Sequence, residues 1–229
     1  MRLPPQMAED EPLTKEKAQE LIKKYTWDLN KDEATVKSWD ELPVTINPKA
    51  YRIEEARRQA EKPPVKVETI GLYVNEFLAV FGMTTEEGPK LEIPEGMTDK
   101  ELYGYLNEKL YAALPEKGAS CKKDLVWMKF TADGFLGVVA ASNDVNFDIP
   151  EEEEEDVRQR TTAGIIVHSL GKSWNRQFIL KFPLIGIPKC LTRDDIENGI
   201  GNYLIARGVP ILDVYSHRYK SARTRSVPQ

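Results

Sequence analysis

Four short patterns in this sequence carry residue types that do chemistry in other proteins, and spacing decides each of them. Gly171-Lys172-Ser173 has the ending of a phosphate-binding loop. That loop needs a glycine five positions earlier, where Ile166 stands, and a helix afterwards, where 174–182 has the composition of a strand. Without the preceding run of backbone amides there is no phosphate cradle, so the segment is expected to be a hairpin turn. Gly199-Ile200-Gly201 lacks the third glycine of a dinucleotide fingerprint, and no strand leads into it. Close packing of a helix against a neighbour is the reading that remains.

The chain has two histidines, His168 and His217, and two cysteines, Cys121 and Cys190. His168 lies in an apolar run expected to be a strand, where it could meet either thiol as a nucleophile–base pair. Nothing around the cysteines suggests an elbow or an oxyanion hole, so a structural histidine is favoured. Two thiols also fall short of a cysteine-rich zinc site or a disulfide framework. Glu151 to Asp156 is an unbroken acidic run. Calcium loops alternate ligands with spacers around a turn glycine, and this run does neither. It is expected to be a solvated face, with docking to a basic surface as the alternative. No catalytic, cofactor-binding or metal-ligating residue is assigned.

The most suggestive segment is the basic tail. Arg218, Tyr219, Lys220, Arg223 and Arg225 are the candidate partner-binding residues. Arginine forks grip phosphates or carboxylates and tyrosine stacks on bases. Four cations neutralise few phosphates, so nucleic-acid binding through the tail alone would be weak at physiological salt. The 229 residues carry a net charge of −5, and the tail concentrates positive charge on an otherwise more acidic body.

The elements that must position these residues follow from periodicity and caps. Residues 1–13 are rich in proline and acid and are expected to be mobile. Thr14 caps a helix with Ala18, Leu21, Ile22 and Tyr25 on one face. A short helix follows from Tyr51 to Glu61, with Glu54 and Glu55 facing Arg57 and Arg58, and Lys62-Pro63-Pro64 ends it. Trp27, Trp39 and Tyr51 in this front segment are expected to strap it onto its own core or to anchor a partner.

Val65 to Val67 alternates like the start of a strand. Residues 70–80 predict a buried helix closed by Gly82, and 84–97 a loop. Thr98 and Glu101 form a capping box before a helix that aligns Leu102, Leu106, Leu110 and Ala113. Asp133-Gly134 sits between two apolar runs, 125–130 and 135–140, and predicts a hairpin. A second hairpin is expected from 164–168 and 176–182. Thr192 with Asp195 caps a last helix that buries Ile196, Ile200, Tyr203 and Leu204 and ends at Arg207-Gly208. Val209 to Tyr215 is expected to be a final strand.

Helices mixed with hairpins, without strand–helix–strand alternation, predict an α+β fold. The expected organisation is a mobile start at 1–13, a helical arm at 14–64, an α+β core at 65–215 and a basic tail at 216–229. The start has no apolar core of a signal peptide, no apolar stretch reaches the length of a spanning helix, and no glycosylation sequon occurs. A reducing, cytoplasmic setting without membrane contact is therefore expected. The leading functional expectation is a non-enzymatic interaction or assembly protein, of the organisation seen in viral and phage structural proteins. Its partners would be copies of itself or another protein. The alternatives are a nucleic-acid-associated protein using the tail, and a hydrolase or transferase without a local signature.

Overall fold

A computed structural model of the chain describes residues 6–8, 11–24, 48–85, 87–112, 124–141, 145, 147 and 162–213. Six helices and four strands lie among them, in an α+β arrangement. In chain order they are α1 (Lys15–Lys24), α2 (Pro48–Ala60), α3 (Val67–Val80), β1 (Lys90–Glu92), α4 (Asp99–Ala112), β2 (Leu125–Phe130), β3 (Leu136–Ala141), α5 (Thr162–Ser169), β4 (Phe178–Pro183) and α6 (Arg193–Ala206).

The strands form one antiparallel sheet in the order β1-β4-β2-β3. Every residue of β2 and β3 is buried, because both faces of the sheet are covered. On one face Val126, Met128, Phe130, Leu180 and Phe182 join the apolar sides of α1, α3 and α6. On the other, Leu125, Trp127, Val138 and Ile179 pack with Leu102, Leu106 and Leu110 of α4. A strand covered on both faces loses the polar alternation of a half-exposed one, so β2 reads as an apolar run. A third, smaller cluster joins Ala56 of α2, Ile166 and Val167 of α5, Phe135 and Leu212.

Several local expectations hold. Gly134 takes a φ of 90° in the turn between β2 and β3. Both capping boxes are closed: Thr98 N donates to Glu101 Oε2 at 2.8 Å, and Thr192 N to Asp195 Oδ2 at 2.8 Å. These contacts, led by the Thr98 hydroxyl, hold the Glu101 carboxyl below its ordinary range. Gly199 is a site of close approach, since a Cβ there would lie 2.3 Å from Phe77 Cζ and 2.8 Å from Ile22 Cγ1.

Four expectations are corrected. The second hairpin does not form, because its first run is the helix α5. At helical spacing, Ile166 and Val167 are buried with Ala56 of α2 and Phe135, while Ala163 is buried in the cluster on the α4 side of the sheet. The helix ends at Gly171 (φ 65°), where Gly171 N donates to His168 O at 2.9 Å and Lys172 N to Val167 O at 3.0 Å. Those are the paired bonds of a Schellman cap, so Gly171 ends a helix and does not turn a hairpin. The partner run does form a strand, β4, but it pairs with β1 and β2.

The expected final strand is reduced to a parallel bridge between Ile211 and Leu136. Pro210 lacks an amide donor, and a turn follows at 212–213. Leu212 N and Asp213 N still donate to Leu136 O and Gly137 O at 2.9 Å, which covers the edge of β3. Residues 65–66 lead straight into α3, whose apolar side demands a helix. Finally, the expected loop 84–97 contains β1, whose Leu91 pairs with Ile179.

Candidate functional site

The described residues bring together a polar cluster that no local pattern announces. Its cation is Arg207, at the end of α6, whose side chain is only 3% exposed. A buried guanidinium needs its donors satisfied in fixed directions. Nε donates to Tyr203 Oη at 2.8 Å, one turn earlier on α6. Nη2 reaches both carboxylate oxygens of Glu76 on α3, at 3.2 and 3.3 Å. Two further bonds go to backbone: Nη1 to Ala8 O at 2.6 Å and Nη2 to Glu11 O at 2.7 Å.

Glu76 completes the other half. Its Oε1 accepts Leu13 N at 3.2 Å, while Oε2 accepts the Tyr203 hydroxyl. Met7 N donates to Ala206 O at 2.7 Å. The main chain at Met7, Ala8, Glu11 and Leu13 is thus held by carbonyls on Arg207 and by amides on Glu76 and Ala206. The side chains add an apolar part: Leu13 is buried in the main core and Met7 packs against it. We call this arrangement the clasp.

The charges of the clasp are mutually adjusted. Burial pushes the Tyr203 phenol well above its ordinary range, the Glu76 hydrogen bond adds to this, and Arg207 opposes it without cancelling it. Burial disfavours the Arg207 cation, but the Tyr203 hydrogen bond and the Glu76 charge outweigh that and raise its pKa. Tyr73 and Tyr203 put their ring centres 5.3 and 5.2 Å from the guanidinium carbon. Outside the clasp, Glu11 pairs with Lys17, whose hydrogen bond and charge hold its carboxyl below the ordinary range.

The next elements continue the seat. After Thr14, whose Oγ1 accepts Lys17 N at 3.3 Å, α1 lays Ala18, Leu21 and Ile22 against α6 and α3. Asn202 Nδ2 donates to Leu21 O at 2.9 Å, and Gly199 leaves room for Ile22.

A second buried cation lies on the opposite side of the sheet. Lys129 of β2 is 1% exposed. Its Nζ lies 4.1 Å from the ring centre of Trp174, 5.0 Å from Phe147 and 5.8 Å from Trp127. Trp174 can approach because residue 137 is glycine; a Cβ there would come within 2.4 Å of its ring. The faces of these rings attract the buried ammonium and pack around it. Nearby, Lys172 pairs with Asp133. Burial alone would raise the Asp133 carboxyl, but hydrogen bonds from Lys172 and Thr131 hold it below its ordinary range.

The sequence-derived candidates fall elsewhere. Arg218, Tyr219, Lys220, Arg223 and Arg225 lie outside the described residues, as do the acidic run, Cys121, His217, Trp27 and Trp39. His168 is corrected: it is exposed in the last turn of α5, not held in an apolar strand. Cys190 is a free, exposed thiol. Among the described residues no group of three or more His, Cys, Asp or Glu is placed to hold a metal ion. No helix among them is long and apolar enough to cross a membrane.

Sequence reasoning marked Arg207 only as a helix terminator and Tyr203 only as a core residue, and it missed Glu76. One signal was present: a glutamate in the second half of the largely apolar α3, with an arginine closing another amphipathic helix. Comparison with protein-family models, with curated proteins and with solved structures gave no significant match.

Proposed function

We propose that this is a non-enzymatic interaction and assembly protein, built to hold a segment of polypeptide in the clasp. The observation that carries this reading is the mode of contact. A buried arginine and a glutamate grip main-chain carbonyls and amides, while apolar side chains fill the floor. Main-chain bonds supply attachment and side-chain pockets supply selection in recognition of extended peptides. Leu72, 68% exposed, stands one turn before Glu76 on α3 and offers apolar surface on that side of the helix. The partner is a protein segment, from another copy of this chain or from a second protein. The basic tail and acidic body give such contacts a salt-dependent component. The free thiol of Cys190 suits a reducing, intracellular setting.

The test is light scattering on the native chain after size-exclusion chromatography, across concentration and ionic strength, with absorbance read at 260 and 280 nm. This reading expects a mass above that of one chain, rising with concentration and falling with salt. A single-chain mass under every condition contradicts it. A species rich in 260 nm absorbance that high salt strips would replace it with nucleic-acid binding.

A further inference from the structure

The clasp is occupied by the chain's own front arm, yet nothing in the contacts requires that arm to come from the same molecule. The principal neighbours of α1 are α6 and α3, in the main core. The next element among the described residues, α2, packs instead with α5 in the third cluster. Arm and successor are therefore seated in different parts of the molecule. They are joined by residues 25–47, a length of chain that spans about 75–85 Å when fully extended. A folded chain of this length has a radius of gyration of roughly 17 Å. The connection is long enough to carry the arm to the clasp of an adjacent copy.

We infer that two copies exchange their front arms: residues 7–22 of one chain fill the clasp and the α3–α6 groove of the other. This rests on the reading of the clasp as a segment-binding site and names its occupant. A second copy fits best because its arm brings every complementary group already seen. These are the Ala8 and Glu11 carbonyls for Arg207, the Leu13 amide for Glu76, and Ile22 for the space left by Gly199. Exchange replaces each contact by an identical one, so the balance depends on concentration and on the connection. A tether of this length holds its own arm at an effective concentration of about millimolar. In dilute solution the arm therefore stays at home, and exchange takes over when copies are crowded to that level, as within an assembly.

The test mixes equal amounts of unlabelled and ¹⁵N-labelled full-length protein, each carrying a photo-crosslinking leucine analogue at position 13. After equilibration at concentrations from micromolar to millimolar, arm–body crosslinks are read by mass spectrometry. Exchange predicts same-label crosslinks when dilute. The mixed-label share should climb towards about half near millimolar. The same experiment with Arg207→Lys should lower the total yield of arm–body crosslinks several-fold. Crosslinks that stay same-label up to millimolar overturn the inference. If that happens while light scattering still shows association, the segment-binding reading stands with a different occupant. A single-chain mass throughout would remove both.

Discussion

Arg207 and Lys129 both have buried side chains, and they bring together different parts of the molecule. Arg207 is met by a carboxylate, a phenol and two backbone carbonyls from the front arm. Lys129 has aromatic rings on three sides. The guanidinium has five directed donors, so burying it organises whatever supplies the acceptors. Here that is a stretch of main chain, brought in from nearly two hundred residues away in sequence. The rings around Lys129 belong to residues 127, 147 and 174, which its ammonium ties together within the core. One cation recruits a segment and the other consolidates a core.

Substitutions break this comparison most clearly at Arg207. Arg207→Ala leaves Glu76 without its cation and takes the guanidinium donors from the Ala8 and Glu11 carbonyls. It is expected to cost about 3–5 kcal/mol, read as a lower urea midpoint. Release of the arm should appear as faster proteolysis within residues 7–24. Gly199→Ala comes next. Its Cβ cannot coexist with Phe77 and Ile22 where they stand, and the strain is expected to cost about 1–3 kcal/mol by thermal unfolding. Proteolysis of the arm should accelerate here too, because Ile22 is displaced.

Trp174→Leu tests the other side. It removes the nearest ring from Lys129 and is expected to cost about 2 kcal/mol. Proteolysis of residues 7–24 should keep its native rate in this variant, since the arm lies across the sheet. An arm cut faster in Trp174→Leu would show that the two regions are not separate.

Tyr203→Phe is the smallest and is best read against pH. It removes hydrogen bonds worth about 1 kcal/mol at neutral pH. The folded-state pKa of Tyr203 lies above its ordinary value of 10.0, chiefly through burial and then through Glu76. Its contribution is therefore complete below pH 10 and is lost as pH rises beyond it. The native chain should lose stability in that alkaline window, and Tyr203→Phe should lose less. Equal slopes in urea titrations above pH 10 would show that this phenol is not coupled to folding.

What the sequence revealed depended on how local the cause was. The capping boxes at Thr98 and Thr192 and the Asp133-Gly134 turn are set by residues within a few positions, and they were legible; the glycines at 199 and 201 also signalled close packing, though not its partners Phe77 and Ile22. Residues 162–169 were not: three β-branched residues in a row suggest a strand, while burial of Ala163 on the α4 side and of Ile166 and Val167 with Ala56 of α2 selects a helix. Segment 209–213 has strand composition, but Pro210 and the single edge of β3 limit it to one bridge. The clasp was illegible for a different reason. Glu76 and Arg207 stand 131 residues apart, and Arg207 meets the carbonyls of Ala8 and Glu11 across 199 and 196. Backbone acceptors leave no trace in side-chain types, so no pattern could have pointed from Arg207 to the arm.

The central claim is that the Arg207 fork, and not positive charge alone, holds the front arm. Arg207→Lys keeps the charge and removes the fork, so it isolates that claim. Backbone hydrogen exchange of this variant beside the native chain, at neutral pH, is the most direct measurement. The account predicts that the Met7 and Leu13 amides, bonded to Ala206 and Glu76 in the native fold, exchange about tenfold faster or more. The amides of β2 should keep their native protection. Unchanged protection at Met7 and Leu13, or an equal loss throughout the sheet, would contradict it.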